Sequence, residues 1–546
     1  MMLRRDYRRS IIFGTAAFAA VFLFMALAVA ALLSFDAGAS AAGIMDAYTL
    51  RILRFTLYQA MLSTLLSIVL GLPVALALAR RREFPGRIWI IRLMAVPMGL
   101  PVIVGAFGII TIWGRQGVLN TVLIFAGAEQ PFSIYGLSGI LIAHVFFNLP
   151  LSVRLMLAGL ERIPGEYWRM AASLGMGPVS VFRFIEWPAI SRLIPGIAGL
   201  VFMLCATSFT LVLLLGGGPA ATTLEVAIYQ ALRFDFDPQR AIALSVLQIV
   251  LTAVLLGLLA FLPSPDEEIS SLDRTMRRFD GKNAGARLWD GAAIVFAILL
   301  IGLPLAAIAV SGLQADLPRL VTAPVFLRAA VTSLAIAGLS AIFVVFSCMA
   351  IIGARQAVGS RRKAAWPLRL LATLLGAGSS LVLLVPPVVL GSGWFLLLRP
   401  FGDVSFYAPV LVALINMLMA LPLAMRVLEP AFTSHFLRTG RLSASLGLQG
   451  LSRLRFADLP VLWRPMLMAF CFAMALSLGD LGAVALFGSE NFVTLPWLVY
   501  STMGSYRTND AAGYAFLLGI VCLLLAAGGV SRQLQSTRAQ SARVGT

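Results

Sequence analysis

Lysine and histidine are nearly missing from this sequence. Of its 42 basic residues only Lys282 and Lys363 are lysines, and they precede Asn283 and Ala364. Neither closes a glycine-rich phosphate loop ending in Lys-Ser or Lys-Thr, so the chain lacks the usual means of cradling a nucleotide. The two histidines, His144 and His435, have no second ligand at metal spacing and read as structural residues. No nucleophile stands beside a base. Cys205, Cys348, Cys471 and Cys522 lie within or at the ends of apolar runs without paired spacing, which suits small packing residues rather than disulfides. These absences argue against an enzyme. Charge is also scarce, at 12% of 546 residues, while 60% are hydrophobic, and no soluble domain has that balance.

What is present is a series of long apolar runs. They cover residues 11–33, 56–79, 93–113, 137–157, 194–215 and 241–262, then 292–310, 332–353, 370–395, 408–428, 466–487 and 511–530. Each is near the ~20 residues that cross a bilayer as a helix. The expectation is an all-α polytopic membrane protein with twelve transmembrane helices. The first run is longer than the ~7–15 residues of a cleaved signal, so it reads as a retained anchor. Arg4, Arg5, Arg8 and Arg9 precede it, which puts the N-terminus inside. Alternating from there, the inside segments together with Arg154 and Arg426 at the inner ends of their runs hold 33 of the 42 basic residues, and both termini are expected in the cytoplasm. The net charge of +18 is then a topology signal spread over seven segments, with some attraction to anionic lipid. Nucleic acid is not an expected partner.

The second half repeats the first. Adding 272 to Ala172, Ser173, Leu174, Gly175, Arg183, Phe184 and Pro188 gives Ala444, Ser445, Leu446, Gly447, Arg455, Phe456 and Pro460. Leu149-Pro150 and Leu421-Pro422 share the offset. Residues 1–262 and 291–546 are therefore read as homologous halves of six spans each, joined by a charged cytoplasmic linker at 263–290. Within each repeat a short helix ends at a glycine suited to the left-handed position. A second short segment then stops before a proline. Such a helix-turn-helix bracket is either a basic surface loop or a docking element for a cytoplasmic partner, and its duplication favours docking. A second correspondence, at 271, pairs Thr223-Leu224 and Tyr229 with Thr494-Leu495 and Tyr500, in loops expected outside.

Two halves of one orientation, with few carboxylates at mid-span, do not suit an ion-coupled carrier. A pump driven by separate ATPase subunits fits better. The brackets resemble the coupling loop of the permeases of binding-protein-dependent ABC importers: glycine and proline thirteen apart at Gly175–Pro188 and Gly447–Pro460, with Ile185 and Leu459 in place. Arg169 and Arg441 stand where that family prefers glutamate. Within the family the chain is similar to the fused two-half thiamine permeases, through Gly114-Arg-Gln-Gly117, Ala143-His-Val-Phe-Phe-Asn-Leu-Pro150, Leu215-Gly-Gly-Gly-Pro219, Thr223–Leu232, Gly479–Gly488 and Gly504-Ser-Tyr-Arg507. Ferric-iron permeases share the fused architecture and are the alternative.

The resemblance implies a type I importer permease in a bacterial inner membrane. It would form a complex with two copies of an ATPase subunit that bind ATP and magnesium, and with a periplasmic binding protein that delivers thiamine or its phosphates. The chain itself would carry no cofactor. The expected ATPase-docking residues are Ala171, Ala172, Gly175, Pro188, Ala444, Gly447 and Pro460. A cationic substrate with two aromatic rings suggests a path along Asp480, Glu225, Tyr229 and Tyr500, with Asp480 the leading carboxylate.

Overall fold

The computed structural model describes residues 2–35, 46–127, 132–261, 278, 283–359, 365–448, 450–489, 492–505 and 507–544. Every regular element among them is helical. An apolar solvent leaves backbone polar groups only each other as partners, and a helix satisfies them within one segment. Among the described residues ten helices are long and apolar enough to span a membrane: residues 8–34, 47–80, 102–125, 137–161, 238–261, 284–314, 324–359, 408–440, 454–479 and 508–528. A bent pair, Pro178–Ser191 with Ile194–Ala206 at 54°, makes an eleventh if counted as one span. The expected ninth span is represented by a shorter apolar helix, Pro387–Phe401.

The departures from twelve unbroken spans have local causes. The expected run at 93–113 breaks between Arg87–Gly99 and Val102–Trp113, where Pro101 holds Leu100 extended at ψ 134°. The run at 370–395 breaks likewise before Pro386-Pro387. Two further breaks match between the halves. Ile194–Ala206 stops before Thr210–Leu215, and Leu459–Gly479 stops before Gly482–Phe487. Irregular backbone at such depth is tolerated where protein or a cavity surrounds it.

The chain divides into two compact units that cut across the sequence halves. One comprises Met1–Ser40, Ile228–Ile249 and Asp316–Thr546, and the other Ala41–Ala227 and Val250–Ala315. The first span thus packs among second-half helices, and Ala284–Gln314 packs among first-half ones. Small residues make these contacts close. A Cβ on Gly14 would lie 2.4 Å from the Ala350 carbonyl oxygen, and one on Gly393 would lie 2.4 Å from that of Ala28. In the other unit, a Cβ on Gly108 would meet the Pro304 carbonyl at 2.6 Å. Helices gain little by hiding apolar surface from lipid, so close backbone approach of this kind carries much of their association. Of the expected linker, residues 263–277 and 279–282 lie outside the described residues, while Arg278 and the start of Ala284–Gln314 are described.

Gly393→Leu should therefore lower the thermal unfolding midpoint of the purified permease, with an overpacking cost of about 1–3 kcal/mol. Gly338→Leu, whose Cβ would meet nothing within 4 Å, should leave the midpoint unchanged in the same assay.

Candidate functional site

The first bracket begins after Pro164 with the helix Gly165–Ser173. Its C-terminus closes in a Schellman motif. Gly175 has φ +63°, its N–H donates to the Ala172 carbonyl at 3.2 Å, and the Met176 N–H donates to the Ala171 carbonyl at 3.0 Å. Met176 then packs on a small core of Trp168, Ala171, Val181 and Ile185. The second bracket ends its helix the same way. Gly447 has φ +65°, and the Leu448 N–H donates to the Ser443 carbonyl at 3.0 Å. Here the helical run is longer, as Ala408–Ser445 reaches the turn without a break.

Beyond each turn the structure differs from the expected stop before proline. Pro178–Val181 runs into a π-helical turn, Phe182–Glu186, and Pro188 sits in the first turn of the helix that follows. Leu454–Asp458 is the matching π turn and leads into Leu459–Gly479, with Pro460 in its first turn. Proline has no N–H to give and its ring crowds the carbonyl four residues back. A turn widened to i→i+5 just before it relieves both problems, with the helix continuing.

The brackets place the expected docking residues unequally. Ala172, Gly175, Pro188, Gly447 and Pro460 are exposed, whereas Ala171 is buried in the bracket core. Ala444 lies in the last turn of Ala408–Ser445, and its side chain is outside the described residues. A concavity of about 280 Å³ opens on the first bracket, lined by Trp168, Ala171, Ala172, Gly175, Met176, Val181 and Arg278.

Each bracket also buries an acid at the end of its π turn, and these went unremarked in the sequence. Glu186 is fully buried, with Arg278 Nη2 at 2.5 Å and Arg80 at 3.8 Å. Arg80 and Arg81 in turn hold Asp290, at 2.8 and 2.9 Å. Asp458, 272 positions beyond Glu186, meets His435 Nε2 at 2.9 Å and Arg453 at 3.5 Å. The clue was present: an acid stands two residues before the proline in both repeats.

Of the four expected path residues, Asp480, Tyr229 and Tyr500 belong to one compact unit and Glu225 to the other. Asp480 follows Leu459–Gly479, and its carboxylate accepts the N–H groups of Gly482 at 3.1 Å and Ala483 at 3.2 Å. It starts the next short helix and so has a structural task. Ser333, Asn416, Ser477 and Thr494 join it around a water-sized cavity. Glu225 is buried in the first turn of Leu224–Arg233. Tyr229 and Tyr500 are brought close enough to act on each other electrostatically, and burial pushes the Tyr229 phenol up to about 12, so it is a neutral hydroxyl. Phe234 meets Tyr229 edge-on at 5.6 Å, Trp497 stands 5.5 Å from Tyr500, and Arg233 donates to the Gly488 carbonyl. Arg233 and Trp497 carried no motif and were missed.

The geometry of two like brackets on an all-helical polytopic chain agrees with the comparisons to known proteins. The family described as "Binding-protein-dependent transport system inner membrane component" matches residues 67–263. The thiamine transport system permease protein ThiP of Brucella abortus (strain 2308) is 48% identical over 500 residues, 92% of this chain and 91% of that protein. The chain belongs to the thiamine transport system permeases. The Escherichia coli (strain K12) permease of the same description is 44% identical over 480 residues, 88% of either chain. That of Haemophilus influenzae is 35% identical over 485 residues, again 88% of either. This permease is thus a transport component of an inner membrane system, and its two halves are fused in one chain.

At Gly175 and Gly447 a Cβ would meet nothing within 4 Å, so only the positive φ opposes a side chain there. Alanine at either position should cost about 1–2 kcal/mol of local stability and asparagine less. Faster proteolytic nicking within the bracket, in the order Ala, Asn, Gly, is the expected readout.

Proposed function

We propose that this permease imports thiamine or its phosphates, driven by two copies of a cytoplasmic ATPase subunit that dock on its brackets. A periplasmic binding protein delivers the vitamin to the outer mouth. ATP and magnesium bind to the ATPase subunits, their closure moves the brackets, and the permease alternates between outward- and inward-open states. The energy enters through the partner, because a ligand shifts such an equilibrium only by its differential affinity for the two states.

The observation that carries the reading is the duplicated bracket. Both copies end a helix at a glycine near φ +64° and bury an acid before a proline. Two like docking elements suit two copies of one ATPase subunit. That the relatives are thiamine transport system permeases supports thiamine as cargo. Along the path, Tyr229, Tyr500 and Trp497 offer the aromatic faces a thiazolium cation favours. Asp480 and Glu225 are proposed as secondary contributors, Asp480 being already engaged by backbone N–H groups. Both termini and both brackets are assigned to the cytoplasm by arginine placement.

Because a Cβ at Gly175 and Gly447 points into open space, alanine and glutamate introduce the same backbone strain, but only glutamate obstructs a partner. The double variant Gly175→Glu, Gly447→Glu should accumulate in the membrane like the double alanine variant, yet lose the ATPase subunit in pull-down and labelled-thiamine uptake in a deletion strain. Co-purification and uptake at the alanine level would refute docking at these positions. A periplasmic partner that bound ferric iron and not thiamine would remove the vitamin and leave the transporter.

Orientation has its own check. A cysteine at the highly exposed Phe406 should react with an impermeant thiol reagent applied outside, and one at the equally exposed Val179 only after permeabilisation. The opposite pattern would invert the topology.

A further inference from the structure

The two brackets share a backbone but draw their fastening from different parts of the chain. In the first, Arg278 comes from the connection between the sequence halves. It is buried, its guanidinium stacks 3.9 Å over the Trp168 ring, and the same group lies 2.5 Å from Glu186. Trp168 belongs to the helix that carries Ala172 and leads to Gly175, and Glu186 ends the π turn. One side chain therefore grips both arms of the bracket and forms part of the concavity between them. The second bracket takes its tie from within its own repeat, where Arg453 lies 5.0 Å over the Phe436 ring of Ala408–Ser445 and 3.5 Å from Asp458. Gly440 occupies the place of Trp168, and Asp458 is held by His435 and Arg453 of its own repeat.

We propose that Arg278 is a positioning residue for the first bracket, so that the inter-half connection is part of the coupling apparatus on one side of the permease only. Arginine suits the task. Its planar guanidinium stacks on an aromatic face while donating in its own plane, which a lysine ammonium does not do. Without it, Arg80 stands farther from Glu186, at 3.8 Å, and the two arms lose their shared tie. The inference rests on the docking reading and adds that one of the two docking events depends on the connection between the halves.

The test uses the full-length permease reconstituted with its ATPase subunit and binding protein, reading labelled-thiamine uptake and binding-protein-stimulated ATP hydrolysis. Arg278→Ala should cut the maximal rate of both at least fivefold with KM for the loaded binding protein unchanged, and Arg278→Lys should fall between. A merely charge-compensating role makes a different forecast. The double variant Arg278→Ala, Glu186→Gln, which removes the matching negative charge as well, would then regain wild-type rates. The positioning role keeps it low. Wild-type rates in Arg278→Ala, or full recovery in the double variant, overturn the proposal. Should Arg278→Ala fail to accumulate, Arg278→Lys and the double variant carry the same decision. A wild-type complex that hydrolyses ATP but imports no thiamine would count against the cargo alone, because ATP turnover still reads the effect of Arg278.

Discussion

The constraint on which this structure depends is that its backbone polar groups have no water to turn to. Helices solve this along most of the chain, and the remaining difficulty gathers at their ends and breaks. The solutions are local and repeated. The N–H of Leu224, at the start of one helix, donates to the Thr56 hydroxyl at 3.1 Å, and the N–H of Leu495, its counterpart at 271 positions, donates to the Ser333 hydroxyl at 2.8 Å. Asp480 serves Gly482 and Ala483 in the same sense. Each buried polar side chain that looks like a candidate for substrate is thus first a candidate for backbone satisfaction. Asp480 shows how readily a carboxylate at a helix break can be taken for a binding group when its nearer duty is to cap.

Helix type, the approximate position of nearly every span and the existence of two brackets were legible in the sequence, because each rests on a periodic or repeated signal. Apolar length marks a span, and a repeat at fixed offset marks a duplicated element. The glycines at 175 and 447 were readable for the same reason, since a positive φ after a helix is a property of one residue and its neighbours. The breaks at Leu100-Pro101 and before Pro386-Pro387 were legible in principle, but the apolar run masked the proline pairs. What could not be read was anything requiring distant residues to meet. No local pattern says that the first span packs with second-half helices at Gly14 and Gly393, or that Arg278 reaches Trp168. The π turns lie between these cases. Proline at 188 and 460 was visible, but it signals a helix end or a widened turn equally well, and packing of the buried acid chooses between them.

The buried acids then explain how two repeats keep one backbone while diverging in sequence. A carboxylate enclosed in protein needs a cation or several donors, and the requirement is for charge and hydrogen bonds rather than for a given residue. Glu186 obtains both from arginines, one at the end of Ala47–Arg80 and one in the inter-half connection. The shorter Asp458 finds them in His435 and Arg453 close by. Satisfied either way, the π turn and its proline hold the same form, so the bracket is preserved while its supports change. Once the halves share a chain, a counter-charge from the connection is available to the first repeat without further association. The position of Trp168 can then carry an aromatic ring that stacks on it, where the second repeat has glycine at 440. Arg453, 5.0 Å over Phe436 and 3.5 Å from Asp458, does the same from within the second repeat, so covalent fusion changes the source of the tying arginine and not its presence.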